Sequence, residues 1–222
     1  MRRFEFDWHV IEEYFPFYVA GAKLTAILTV CGVALALILG LVVALIRMSE
    51  LRPLSFFGNL YIQTFRGTPL FVFLIWVYYG AGMFLGIRFS SVVAGLVVIG
   101  MLRGAYVAEV YRAGIEAVTK GQREAALSVG LKQPQVMRYI VLPQAIRTIL
   151  PAIGNELIVV FKSTSIMGLI GVEELVKQAQ IATVWSFRPF ELYTVLGLIF
   201  VAVVTVMSRG VRFLERRLAF AH

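Results

Sequence analysis

Cysteine is almost absent from this chain. The single one, Cys31, sits inside an apolar run, which excludes a disulfide framework and a cysteine-based zinc site. Histidine is nearly as scarce, and His9 and His222 lie near opposite ends, a poor basis for a metal cluster. Charge is thin as well: 15% of residues are Asp, Glu, Lys or Arg, where a soluble domain carries about 25%. No G-x-x-x-x-G-K-[ST] loop is present to cradle a nucleotide phosphate, so the chain is not expected to hydrolyse ATP itself. No Ser, Cys or His stands in a nucleophile–base arrangement, and no His/carboxylate cluster offers a metal site. The expectation is a non-enzyme that binds no metal or cofactor.

Apolar residues are abundant: 59% of the 222 are hydrophobic, and the mean hydropathy is +0.83. A water-soluble globule is excluded on that balance. Nearly uncharged stretches at about 23–46, 67–87, 89–110, 148–172 and 191–208 are each long enough to cross a hydrocarbon core of about 30 Å. The third contains Arg103, and the fourth contains Glu156 and Lys162. The expected fold is an all-α integral membrane protein with five transmembrane helices in one domain, 1–222. The first 22 residues mix Arg2 and Arg3 with Glu5, Asp7, Glu12 and Glu13, unlike a cleavable secretory signal. Their aromatics, Phe4 to Tyr18, suit a short interfacial segment at headgroup level.

The net charge of +8 has a sidedness. With the N-terminus outside, thirteen of the 21 Lys and Arg fall on cytoplasmic segments: Arg47, Arg52 and Arg66, then Arg112 to Arg147, then Arg209 to Arg217. The positive-inside rule therefore places the N-terminus outside and the C-terminus in the cytoplasm. The basic tail reads as a topology anchor on anionic lipid, not a nucleic-acid site. The aromatic stretch Phe71, Phe73, Trp76, Tyr78 and Tyr79 reads as lipid-facing belt.

The largest cytoplasmic loop, about 112–147, carries the most specific pattern. Good helix formers from Gln122 to Leu127 end at Gly130, a natural terminator, and Pro134 can open a second helix. The small Ala125 and Ala126 would let another protein approach closely. Glu124-Ala125-Ala126, three residues, Gly130, nine residues, then Ile140-Val141-Leu142-Pro143 resembles the E-A-A-x3-G-x9-I-x-L-P loop of permease subunits of bacterial ABC importers, matching every fixed position. Phe65-Arg66-Gly67-Thr68-Pro69-Leu70, Ala105-Tyr106-Val107-Ala108-Glu109-Val110 with Arg112, and Phe161-Lys162-Ser163-Thr164-Ser165 leading to Gly171-Val172-Glu173-Glu174-Leu175 resemble the branch that imports polar amino acids.

That resemblance implies a type I ABC importer fold with a cytoplasmic coupling helix. Glu124, Ala125, Ala126 and Gly130 would contact a separate ATPase subunit, and Ile140, Leu142 and Pro143 would connect the contact to the fourth span. The implied partners are two ATPase copies using ATP and magnesium, a second permease copy or homologue, an extracytoplasmic amino-acid-binding protein and the lipid bilayer of the bacterial inner membrane. The alternative from another class is an ion-gradient-driven transporter or channel subunit, but no internal repeat is visible.

Charge inside a span needs a partner or water. Arg103 suits a carboxylate, which every amino acid carries, and equally suits a structural ion pair with a cross-span partner such as Glu156. Lys162, Ser163, Thr164 and Ser165 form a polar stretch for which a translocation path and a helix-gluing seam are equal readings.

Overall fold

The computed structural model describes residues 6–86 and 88–219, so Arg2, Arg3, Phe4, Glu5 and His222 lie outside the described residues. Among those described, every element is helical and no strand occurs. Helix α1, Trp8–Arg47, is N-capped by Asp7, whose side chain accepts from the His9 N–H at 3.0 Å. It runs unbroken for 40 residues. The N-terminal stretch read as a separate interfacial segment is, from Trp8 onward, the first turns of this helix. It packs against the protein: Tyr18 is 2% exposed and donates its hydroxyl to Leu192 O at 2.7 Å.

Helix α2 is Arg52–Gly67, and α3 covers 70–85, with a π-helical stretch at Trp76–Ala81. The two meet at a bend of 104°. Pro69 causes it. Its ring disfavours the helical conformation at Thr68, which adopts φ −90° and ψ 126°, and it has no N–H for the ladder. The sequence suggests one crossing over 67–87; the structure has two arms hinged at its start.

Helix α4 is Ser91–Glu116, capped by the Ser90 hydroxyl, and α5 is Lys120–Ser128. Helix α6, Gln133–Ile170, begins well inside the loop read from the sequence as 112–147 and ends in 3₁₀ turns from Thr164. Helices α7, Leu175–Ser186, and α8, Pro189–Ala219, complete the chain. By length and composition α1, α4, α6 and α8 can each cross a membrane, and the bent α2–α3 pair brings the number up to five.

The bundle is organised around α4, whose small residues Ala94, Gly95, Gly100, Gly104, Ala105 and Ala108 are buried. Its most extensive partner is α1. The approach is close enough that a Cβ on Gly40 would lie 2.6 Å from Val107 Cγ1 and 3.0 Å from Gly104 O, so this contact requires glycine. Leu28, Leu74, Val98, Ile99, Val160 and Met167 fill the core where α1, α3, α4 and α6 converge. Outward faces stay apolar: Ile27, Val30, Ile38 and Leu45 on α1 and Leu198, Val201 and Val206 on α8 are exposed. Such a surface belongs in hydrocarbon or against another apolar chain.

Candidate functional site

A cavity of about 350 Å³ opens at the α2–α3 bend. Arg66, Gly67, Thr68, Pro69 and Leu70 supply one wall, Leu102, Arg103 and Tyr106 of α4 another, and Ser163 of α6 the third. The broken helix explains why it is polar. Thr68 and Pro69 leave the helical conformation between α2 and α3, and the bend they make sets Arg66 and Thr68 beside a space that a continuous helix would close.

Arg103 sits near the midpoint of α4 with its guanidinium held on two sides. Its Nε lies 3.6 Å from Glu156 Oε2 on α6, and its Cζ stacks 4.1 Å from the Tyr106 ring centroid. Among the described residues its Nη groups make no hydrogen bond, and the side chain lines the cavity. Tyr106 in turn donates its hydroxyl to Arg66 O at 3.2 Å, fastening the bend to α4. The Arg66 Cζ lies 5.2 Å from the same ring.

The polar residues singled out in the sequence separate in the structure. Arg103 and Ser163 reach the cavity, and Glu156 stands beside Arg103 without lining it. Thr164 is fully buried and donates to Phe161 O at 2.8 Å. Lys162 is exposed and outside the lining, while the Ser165 hydroxyl donates to Lys162 O at 2.7 Å. Arg66, Thr68 and Tyr106 complete the wall without having been singled out as path residues. Arg66 reads by charge as a cytoplasmic anchor, and only the proline-induced bend brings it beside Arg103. The Gly67-Thr68-Pro69 run was the available signal.

Helix α5 is the second candidate surface. Glu124 and Ala125 are exposed, with Leu127, Ser128 and Val129 beside them. Ala126 differs from the sequence reading. It is 7% exposed and packs inward with Val118, Val136 and Val141, so its small size serves the loop's own core. Gly130 adopts φ +89°, the left-handed region in which glycine has no Cβ to clash, and ends the helix. Ile140 is half-buried, and Leu142 and Pro143 are exposed in the third turn of α6. Two side chains anchor α5 to its neighbours: Arg123 donates to Ile115 O, and Gln144 Nε2 donates to Gln122 Oε1 at 2.6 Å and to Ile140 O at 3.0 Å. Movement of α5 is thereby tied to the bases of α4 and α6.

A helical membrane protein with a basic cavity at a broken helix, and a short helix presented apart from the bundle yet braced to it, has the architecture of a transport subunit. The chain belongs to the family of binding-protein-dependent transport system inner membrane components, whose model matches residues 16–220. It is therefore a multi-pass inner-membrane permease subunit. It is 34% identical to the glutamine transport system permease protein GlnP of Escherichia coli over 215 residues, 96% of this chain and 98% of that one. It is 36% identical to the arginine transport system permease protein ArtQ of Bacillus subtilis, over 91% and 93% of the two chains. The crystal structure of an amino acid ABC transporter with histidines matches at TM-score 0.92 and 37% identity, over 96% of this chain and 100% of that one. An inward-facing structure of the MetNI methionine ABC transporter shares the fold at TM-score 0.69 and 16% identity.

Proposed function

We propose that the chain is the membrane subunit of an ATP-driven importer of polar amino acids, and that the cavity at the α2–α3 bend holds the amino acid during passage. Arg103 is the anchor for the α-carboxylate. The observation that carries this reading is that an arginine near the midpoint of α4, braced by Glu156 and Tyr106, leaves its Nη donors to a polar cavity. A preorganised planar fork of this kind suits a carboxylate.

Two permease copies, or this one and a homologue, enclose the pathway. The exposed Glu124, Ala125 and Gly130 dock on a separate ATPase subunit, two copies of which bind ATP and magnesium, and Ile140, Leu142 and Pro143 pass its movement to α6. An extracytoplasmic binding protein delivers the amino acid to the outer face. The distribution of Lys and Arg supports an outer N-terminus and a cytoplasmic C-terminus. Uptake by proteoliposomes holding the full complex tests the reading. Transport should stop when internal ATP is removed and persist when ion gradients are collapsed. The reverse pattern would establish an ion-driven transporter instead.

A further inference from the structure

A second polar hollow, of about 300 Å³, lies where α1 hands over to α2. Helix α1 carries no charge from Leu24 to Ile46, and Arg47 ends it. Helix α2 starts at Arg52, and Leu51 at its N-cap gives the first turn no side-chain acceptor. Arg47 and Arg52 both line the hollow, and among the described residues neither makes an ion pair. Glu50 shares the lining but is within ion-pair reach of neither arginine. The wall thus carries two positive charges against one negative.

Its hydrogen-bonding groups are mostly donors. Arg47 Nη1 donates to Ser55 Oγ at 3.3 Å, while the Arg47 Nε is buried without a hydrogen-bond partner. A buried donor left unmatched is costly, so an acceptor is wanted here. Ser49 Oγ accepts from the Leu51 N–H at 3.2 Å and keeps its own proton, and Asn59 adds an amide to the wall. Beside these donors the surface turns apolar. Leu54, Phe56, Phe57 and Leu60 of α2 are exposed, and Phe56 also lines the hollow. A basic pair at the end of an uncharged span, next to an exposed apolar helix face, is the arrangement of a bilayer's headgroup layer.

We propose that this hollow binds the headgroup of an anionic phospholipid of the phosphatidylglycerol type. The phosphodiester sits between Arg47 and Arg52, and the acyl chains run along the Phe56 and Phe57 side of α2. Guanidinium forks suit phosphate oxygens, and one phosphodiester balances the excess charge of the wall. A zwitterionic phosphatidylethanolamine brings no net charge and leaves that excess in place. Free phosphate supplies the charge but nothing to cover the exposed phenylalanines. The site joins two helices, unlike the basic tail, whose arginines all lie on α8.

The test is photo-cross-linking of the full-length permease, purified in detergent, with phosphatidylglycerol carrying a diazirine in its acyl chain, followed by peptide mapping. Label should fall on the segment 47–60. Unlabelled phosphatidylglycerol should displace it at concentrations at least about five-fold lower than phosphatidylethanolamine with the same acyl chains. Arg52→Gln should weaken that displacement about five-fold, the share of one arginine at a membrane surface, and Arg52→Lys should keep most of it. Glu50→Gln should strengthen it, because the one negative charge of the wall is gone. Arg52 and Glu50 are exposed, so neither variant is expected to disturb the fold, and an unaltered elution profile checks this. Arg47→Gln should also weaken binding, but Arg47 holds Ser55 as well, so the Arg52 and Glu50 variants decide. Equal displacement by phosphatidylethanolamine would overturn the anionic class. Displacement by inorganic phosphate as readily as by the lipid would make this a site for soluble anions and overturn the lipid. Label on 47–60 that neither Arg52→Gln nor Glu50→Gln alters, or label that falls elsewhere, would overturn the site itself.

Discussion

Arg103 and Glu156 form an ion pair between α4 and α6, Nε to Oε2 at 3.6 Å, with side chains 15% and 17% exposed. The Glu156 Oε2 has no hydrogen-bond partner, so the attraction is electrostatic and not a bidentate fork. Deleting one charge strands the other in a poorly solvated place. Glu156→Leu should therefore destabilise the protein by about 2 kcal/mol, a figure set below that of fully buried pairs because both groups keep some solvent contact. The double variant Arg103→Met, Glu156→Leu should recover part of that loss. Thermal unfolding of the solubilised protein reads both, and strictly additive effects would show that the residues are not coupled.

Helix α5 makes a different demand, on backbone geometry. Gly130 sits at φ +89° with open space around it, so a side chain there meets no neighbour and any penalty comes from the dihedral alone. Proline, fixed near φ −65°, cannot adopt that conformation. Gly130→Pro should abolish co-purification with the ATPase subunit and Gly130→Ala should weaken it, since the left-handed region costs a non-glycine residue about 1 kcal/mol. Gly121 is equally open but lies within α5 and has no positive φ. Gly121→Ala should leave association intact, and pull-down of the tagged ATPase compares the three.

How far the chain was legible in advance differs by element. Helix α5 and its end at Gly130 follow from local propensity and one glycine, which operate over a few residues. The pairing of Arg103 with Glu156 follows from the cost of burying a charge, which demands a partner across the bundle. The cavity was harder to read because Arg66, Thr68 and Tyr106 come from segments 40 residues apart and meet only through the bend. Counting uncharged residues starts the second span at Gly67 and assigns Arg66 to the cytoplasmic side, although Pro69 marked the break. Ala126 shows the same gap at smaller scale. Its composition suits any close contact, and only the helix's rotation decides that Ala125 faces out while Ala126 faces Val118 and Val136.

The α1–α4 contact sets a steric limit. A Cβ on Gly40 would fall 2.6 Å from Val107 Cγ1, and that side chain is 1% exposed with no room to retreat. Gly40→Val should cost about 1–3 kcal/mol, the usual range for overpacking. Adding Val107→Ala should return part of it, because the clash is with that isopropyl group. The Gly104 carbonyl, 3.0 Å from the same Cβ position, belongs to backbone and cannot give way, so recovery should stay incomplete. Thermal midpoints of the two variants and the wild type decide this.

Glu174 links fold stability to pH. It lies in the short connection between α6 and α7, fully buried, and caps α7 by accepting from the Val176 and Lys177 N–H groups at 3.0 and 2.9 Å. Burial pushes its pKa from 4.5 up to about 7, against the opposing pull of those two N–H groups and the Lys177 charge. The folded protein therefore holds a proton that the unfolded chain releases near pH 4.5. Its stabilising contribution is complete below that value and is lost as pH rises through about 7. Thermal stability of the wild type should decline from about pH 5 to pH 8 by more than that of Glu174→Gln, which keeps a cap acceptor but cannot ionise. Parallel curves for the two proteins would assign the pH dependence to other groups.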